Sequence, residues 1–441
     1  MQTSLTRFHK LLLGSAAGFA ALATASAAQA GGLAVREQST QFLGSAYAGN
    51  AAGGGALSSM FWNPAGLADA PDGLRSETNL TLLVPDTQFT VQPGTSPLLG
   101  GGAVGTTATQ DRLALIGASY YSYRVSKDLV LGLALDAPFG LSNEVPANWA
   151  GRLQHRSASL FTLNFNPMAS YQILPGVYIG AGAQLQYTKL RFSTANSASL
   201  TLLGGNPNAD STSLEVDDMA AGFNVGVLLK PLEGTTIGIG YRSAIAHNLN
   251  GSLDNVVMGG APGFAAIPSI PATVDVDTPQ MITASIRQSV TSYLRVMGTV
   301  EWTDWSIAGV KPIKSNGAPT GSALDLQWHD GWFFSAGGEY DYSDDLTLRG
   351  GVAYEISPIQ NASERLAQVP DADRVWLSVG ATYKVTDSMT VDFAYSHIFI
   401  DDATLNRLPS NAANVPLVAR VESSADLVSV GLKMDIGSFL Y

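Results

Sequence analysis

The chain has 441 residues, no cysteine and a formal net charge of −12, with only 14% of residues charged. The missing cysteines exclude a disulfide scaffold, thiolate metal sites and an acylated lipoprotein terminus, and the acidic balance offers no basic surface to a nucleic-acid backbone. Charge is well below the roughly 25% of a typical soluble domain, yet after the first thirty residues no apolar run is long enough for a spanning helix. What remains is a soluble exported protein or an outer-membrane barrel.

The first element is a leader. Arg7, His9 and Lys10 precede the apolar run LLLGSAAGFAALA, and Ala28-Gln29-Ala30 fits a small-x-small cleavage site before Gly31. Residues 1–30 therefore read as a secretory signal peptide. Residues 31–72 come next and show no alternation. They are rich in small residues, with AAGGGA at Ala51–Ala56 and FWNPAGLA at Phe61–Ala68. Proline lacks an N–H and restricts the residue before it, so Asn63-Pro64 breaks regular structure. Phe61 and Trp62 are too apolar for a linker. A compact segment of this length suits a plug inside a barrel.

From residue 73 to the end, period-two alternation dominates. In SLFTLNFNPMASYQI, for example, Phe161, Leu163 and Phe165 oppose Thr162, Asn164 and Asn166. Fourteen such segments fall near 74–84, 113–123, 129–137, 156–173, 177–192, 214–230, 235–247, 273–288, 292–305, 324–340, 346–356, 374–385, 389–399 and 418–436. Short connections such as ILPG and PLEGTT alternate with long ones at 85–112, 138–155, 193–213, 248–272, 306–323, 357–373 and 400–417. An even count, with short turns at one end and long loops at the other, predicts an all-β fold: a transmembrane antiparallel barrel of about fourteen strands. Tyr121, Tyr123, Tyr187, Trp302, Trp305, Tyr340 and Tyr383 sit where interfacial girdles would, although ordinary strand propensity places aromatics there too. Arg242, Arg287, Arg295, Glu301, Glu339, Arg349 and Lys384 share the inward phase with Gly226, Gly238, Gly240 and Gly337. Inward glycines let another segment approach closely. The closing GSFLY breaks the alternation, leaving the end of the last strand open.

GGLAVREQSTQFLGSAYAGNAA followed by FWNPAGLA resembles the N-terminal hatch of the FadL/TodX family, with Asn63, Pro64 and Ala65 matching its Asn-Pro-Ala motif. Ala137 to Ile173, with Pro-Phe-Gly-Leu, Trp-Ala-Gly-Arg and Asn-Pro in order, resembles that family's third strand, loop and fourth strand. The likeness covers essentially the whole mature chain. It implies a monomeric outer-membrane transporter of hydrophobic compounds with a hatch in its lumen and no cofactor. Ligand would be caught by extracellular loops, passed to an internal apolar pocket, and released sideways into membrane lipid at a kinked third strand. Pro138, Phe139 and Gly140 would mark the kink. From the residues alone, Pro138 either interrupts a continuing wall or ends the strand at its loop.

Two of the long loops are unusually apolar. Leu200, Leu202 and Leu203 lie in one; Phe264, Ile267 and Ile270 lie in the next. They suit capture of an apolar solute, or packing of the loops on themselves. A fatty-acid carboxylate would want a cation in a dry pocket. Arg152, Arg156 and Arg242 are candidates, structural ion pairs being the other reading. Long-chain fatty acids are favoured; monoaromatic hydrocarbons or a non-specific porin are alternatives. No enzyme is expected. His155, His247, His329 and His397 are scattered, and neither G-x-S-x-G nor H-E-x-x-H occurs. GGGAVG at Gly100–Gly105 has no helix pattern after it to make a nucleotide site. No metal site is expected.

Overall fold

The computed structural model describes residues 31–95, 105–195, 210–255, 269–407 and 416–437. Residues 1–30, expected to be a signal peptide, and Ser438–Tyr441 of GSFLY lie outside them. Twenty strands form one antiparallel sheet. They are β1 (Leu74–Val91), β2 (Thr107–Gln110), β3 (Ala114–Arg124), β4 (Leu129–Asp136), β5 (Gly140–Glu144), β6 (Ser157–Leu174), β7 (Val177–Ala195), β8 (Asp210–Leu232), β9 (Thr235–Arg242) and β10 (Ile245–Asn255). After these come β11 (Ile270–Thr278), β12 (Met281–Ser289), β13 (Leu294–Thr303), β14 (Gly309–Ser315), β15 (Ala318–Leu326), β16 (Gly331–Asp341), β17 (Leu346–Ile356), β18 (Arg374–Thr386), β19 (Met389–Arg407) and β20 (Leu417–Asp435).

β20 pairs with β1 from Arg75–Asp435 to Val91–Ala419, so the sheet closes on itself. Six staves are interrupted ones: β2 with β3, β4 with β5, β9 with β10, β11 with β12, β13 with β14, and β15 with β16. The closed wall therefore has fourteen staves. Closure removes the sheet edge, which a hydrocarbon surrounding would leave without hydrogen-bond partners.

The staves run further at the long-loop end than the alternation suggested. β1 continues to Val91, and most of the expected loop 306–323 is the β14–β15 hairpin, which turns at Asn316 and Gly317 with φ of 50° and 81°. Two successive left-handed residues make the turn that matches sheet twist. These extensions are hard to read because polarity reverses along the wall while the alternation keeps its phase. Nearer the short turns, Leu80, Leu82, Phe165, Leu185, Phe223 and Val225 face outward and are exposed. Thr162, Asn164, Gln184, Gln186 and Asn224 are buried on the inward phase. Nearer the long loops, Lys189, Arg191, Glu215 and Asp217 take the outward phase, and Leu160, Leu190, Leu214 and Val216 are buried within. Lipid surrounds the first half and water the second, and each side of the wall follows its solvent.

Tyr123, Tyr171, Tyr293, Tyr340, Tyr342 and Tyr383 are exposed near the short turns, as interfacial aromatics should be. Trp305 is a correction. The strand breaks at Asp304, and Trp305 turns inward and is buried against Trp328, ring centroids 5.3 Å apart.

Residues 31–73 pass through the lumen as one α-helical turn, Thr40–Leu43, and three short 3-10 turns, Asn50–Ala52, Leu57–Phe61 and Pro64–Asp69. Local chemistry sets their starts. The Ser39 hydroxyl accepts from the Phe42 N–H at 3.2 Å. The Asn63 side chain accepts from Ala65 N–H at 3.0 Å, with Pro64 at the first helical position. Phe42, Tyr47, Met60, Phe61, Trp62 and Leu67 are buried in a common cluster with Phe333 and Trp376 of the wall. The plug thus has its own apolar core, shared with the barrel.

Candidate functional site

The stave made of β4 and β5 is unlike its neighbours. β4 pairs with β3 on one side, from Ser119–Leu135 to Arg124–Val130, and with β6 on the other. β5 keeps its ladder with β6, from Gly140–Phe161 to Glu144–Ser157, but among the described residues it has none with β3. The wall continues past Pro138, so that proline interrupts the stave rather than ending it. Beyond it, a gap in the hydrogen-bonding lies between β3 and β5.

The freed backbone groups are satisfied from inside. Val35 N–H donates to the Pro138 carbonyl at 2.9 Å, and Gly140 N–H donates to the Leu33 carbonyl at 2.9 Å. The Gln38 side-chain amide donates to the Ala137 carbonyl at 2.9 Å. Thr162 serves Phe139 twice: its hydroxyl accepts from Phe139 N–H at 3.0 Å and donates to the Phe139 carbonyl at 2.6 Å. The start of the hatch therefore stands in for the missing strand, which removes the cost of unpaired backbone at this level.

Phe139 points inward, its ring 5.9 Å from that of Trp305. Both belong to a buried apolar group with Leu141, Leu160, Leu190, Val216, Leu249, Leu253, Val274 and Trp328. Ile270 packs against this group at the start of β11. Leu200, Leu202, Leu203, Phe264 and Ile267 lie outside the described residues. The group is aliphatic and aromatic, the kind of surface an apolar solute prefers to water.

Asn63, Pro64 and Ala65 lie elsewhere, against β7, β8 and β9. The Asn63 side-chain amide donates to the Ala51 carbonyl at 2.8 Å and the Val227 carbonyl at 3.0 Å. At Gly180, Gly226, Gly238 and Gly240 an added β-carbon would fall within 3.0 Å of Ala65, Asn63, Ala51 and Trp62 respectively. Three of these glycines were legible as inward; Gly238 and Gly240 admit the hatch backbone, and Gly226 admits the Asn63 side chain.

The three candidate arginines are not gathered in one place. Arg242 donates to the Phe61 carbonyl at 3.2 Å and to the Gln184 side chain, with its guanidinium over the Phe61 ring. It holds the hatch. Arg152 is in the 3-10 turn Ala150–Leu153 and donates to the Trp149 carbonyl at 3.2 Å; burial, then the neighbouring Arg156, lower its pKa. Arg156 leads into β6, where its N–H donates to the Ser193 carbonyl. His155, between them, is buried, and that burial pushes its pKa down to about 3, so the ring is neutral at physiological pH.

A buried charged cluster joins Glu301, already legible as inward, to hatch and wall residues that the sequence did not bring together. Arg36 reaches Glu301 at 2.7 Å and Glu355 at 3.0 Å, and lies over the Phe333 ring. Burial alone would lower its pKa, but the two carboxylates outweigh this and hold it above the ordinary arginine range. Arg374 joins Glu355 at 3.8 Å and Asp371 more closely. Glu37 is buried beside them with both carboxylate oxygens unbonded among the described residues, and burial pushes its pKa up to about 7. Partners of Arg36 lie more than 260 residues away, so no local spacing announces them.

A gapped, plugged barrel with this motif order is the architecture of one family, and residues 21–435 match the family model for outer membrane protein transport proteins (OMPP1/FadL/TodX). The chain belongs to the FadL/TodX family. This FadL/TodX-family barrel is an outer-membrane protein, and the family transports hydrophobic compounds. Outer membrane protein P1 of Haemophilus influenzae is 25% identical over 432 residues, covering 89% of this chain and 90% of that one. A long-chain fatty acid transport protein of Escherichia coli O6:H1 is 25% identical over 399 residues, covering 83% and 86%. The crystal structure of a Pseudomonas aeruginosa FadL homologue superposes with a TM-score of 0.82 at 22% identity, covering 92% of this chain and 99% of that one. The Pseudomonas putida toluene transporter TodX gives a TM-score of 0.62 at 18% identity, covering 86% and 94%. The two structures share the fold with this chain.

Proposed function

We propose that the protein takes up long-chain fatty acids by lateral release. The loops holding Leu200, Leu202 and Leu203, and Phe264 and Ile267, capture the solute at the cell surface, with Ile270 at the start of β11 below the second of them. The solute then passes by way of the buried apolar group around Phe139, Leu160, Leu190 and Val216, and leaves through the wall between β3 and β5. The observation that carries this reading is the gap itself: among the described residues β5 has no ladder with β3, and Leu33–Val35 of the hatch meets the chain there at Pro138–Gly140. A hydrophobic solute gains by leaving there, because an axial route would re-expose its apolar surface to the aqueous periplasm. The relatives named long-chain fatty acid transport proteins favour a carboxylate-bearing chain over a monoaromatic hydrocarbon. Arg152 and Arg156, near each other at the turn that leads into β6, are the cations this reading assigns to that carboxylate.

Labelled oleate uptake by cells carrying Pro138→Val with Gly140→Val tests the route. At matched outer-membrane abundance, uptake is expected to fall at least tenfold while surface binding is kept. Normal uptake in this variant, with loss on blocking the periplasmic face of the hatch, would mean an axial channel. The same assay run with toluene against oleate separates the two substrate classes.

A further inference from the structure

The first residues of the hatch touch the barrel at two places. Leu33 and Val35 cover the β5 edge, and just before them Gly31 and Gly32 meet the far wall. Gly31 N–H donates to Glu355 Oε1 at 3.2 Å and Gly32 N–H donates to Asp371 Oδ2 at 3.0 Å. Both glycines are buried. Gly32 has φ of 66°, the left-handed conformation that glycine adopts without strain, and there successive N–H groups converge on neighbouring anions.

The charges around this point do not balance. Among the described residues, the linked network contains the carboxylates Glu301, Glu355 and Asp371 but only the guanidiniums Arg36 and Arg374. Buried charges need partners, and this network carries one more carboxylate than guanidinium where Gly31 N approaches Glu355 Oε1, the oxygen that Arg36 also meets at 3.0 Å. We infer that the α-ammonium group freed at Gly31 by signal cleavage is the balancing cation, and that it pins the gap-covering strand Leu33–Val35 to Glu355 and Asp371 on the far wall.

The chemistry is one hydrolysis. A peptidase adds water across the Ala30–Gly31 amide; Ala30 leaves as a carboxylate, and Gly31 nitrogen takes a proton to become –NH3+. One neutral N–H donor is replaced by a unit positive charge with three donors. The uncleaved chain lacks this charge, so the cover over the gap is completed only after export and processing. The inference rests on cleavage after Ala30 and on the geometry at Gly31, not on the transport route, and its test does not use uptake.

The test uses the full mature chain in detergent micelles. Mass spectrometry must first find Gly31 as the N-terminal residue; a different terminus overturns the proposal. Acetylation of the α-amine by an N-hydroxysuccinimide ester, read on the N-terminal peptide, is expected to be at least tenfold slower in the folded barrel than in the unfolded chain. Glu355→Gln should raise that rate at least threefold, which burial alone would not predict. Independently of that variant, one extra alanine ahead of Gly31 should speed hydrogen exchange at Val35 and Gly140 at least tenfold, with exchange within β19 and β20 unchanged. Equal amine reactivity in folded and unfolded chains, or unchanged exchange at Val35 and Gly140 in the extended chain, would overturn it.

Discussion

The hatch is seated in two different ways at its two ends. At Ala51 and Trp62–Ala65 it meets a wall of glycines with no room for a β-carbon, backbone against backbone at Gly180, Gly238 and Gly240 and against the Asn63 side chain at Gly226. At Gly31–Glu37 it meets buried carboxylates and guanidiniums, and the contact is made by charge. A shape contact of the first kind has one state, because a close-packed interior does not deform continuously. A charge contact can be weakened by one proton or one altered partner. The charged end is also the end that covers the gap at Pro138–Gly140. The molecule thus holds its plug by shape and its cover by electrostatics, and only the second can be released without unseating the first.

The largest effect should come from the glycine seat. Gly240→Val places a branched side chain into the Trp62 carbonyl, and the hatch cannot seat. A heat-modifiable barrel should still form, and planar-bilayer recordings should show a steady open conductance absent from the wild type. A closed barrel in this variant would mean that shape is not what retains the plug.

Arg36→Met attacks the other seat. It leaves Glu301 and Glu355 buried without their main partner, a loss of about 3–5 kcal/mol. Hydrogen exchange should rise across residues 31–38 while residues 57–66 stay protected. Uniform loosening of both stretches would erase the distinction between the two seats.

Glu37 sharpens the contrast through pH. Burial raises its pKa from 4.5 to about 7, so the folded hatch favours the protonated form. That stability is fully present below about pH 4.5 and is lost as pH rises through 7, a change of about 3 kcal/mol. Glu37→Gln should flatten this profile, leaving the variant's hatch more stable than the wild type at pH 8 and little different at pH 4. Protease protection of the hatch, measured across that range, reads it directly.

Asn63→Ala should do least. It removes a helix cap and the hydrogen bonds to Ala51 and Val227, worth about 1–2 kcal/mol together with the cap. The glycine seat remains, so the plug should loosen measurably by exchange at Ala65 without opening the pore. An open conductance here would show that the side chain, and not the backbone fit, carries this end.

The barrel, its rhythm of short and long connections, and the plug before it could be read from residue order, because alternation and turn chemistry are local properties of a chain between two solvents. So could the inward glycines and the break at Pro138, since each states where a side chain or an N–H is missing. Trp305 could not, because the strand break that turns it inward is set by its neighbours on Phe139 and Trp328. The upper apolar group was partly hidden, since Leu160, Leu190 and Val216 keep the inward phase while the outside changes from lipid to water. Arg36 with Glu301 and Glu355, and Leu33–Val35 on the edge of β5, belong to the tertiary structure alone. Their partners are more than a hundred residues apart, and only closure of the barrel around the hatch brings opposite charges and unpaired backbone groups within reach of each other.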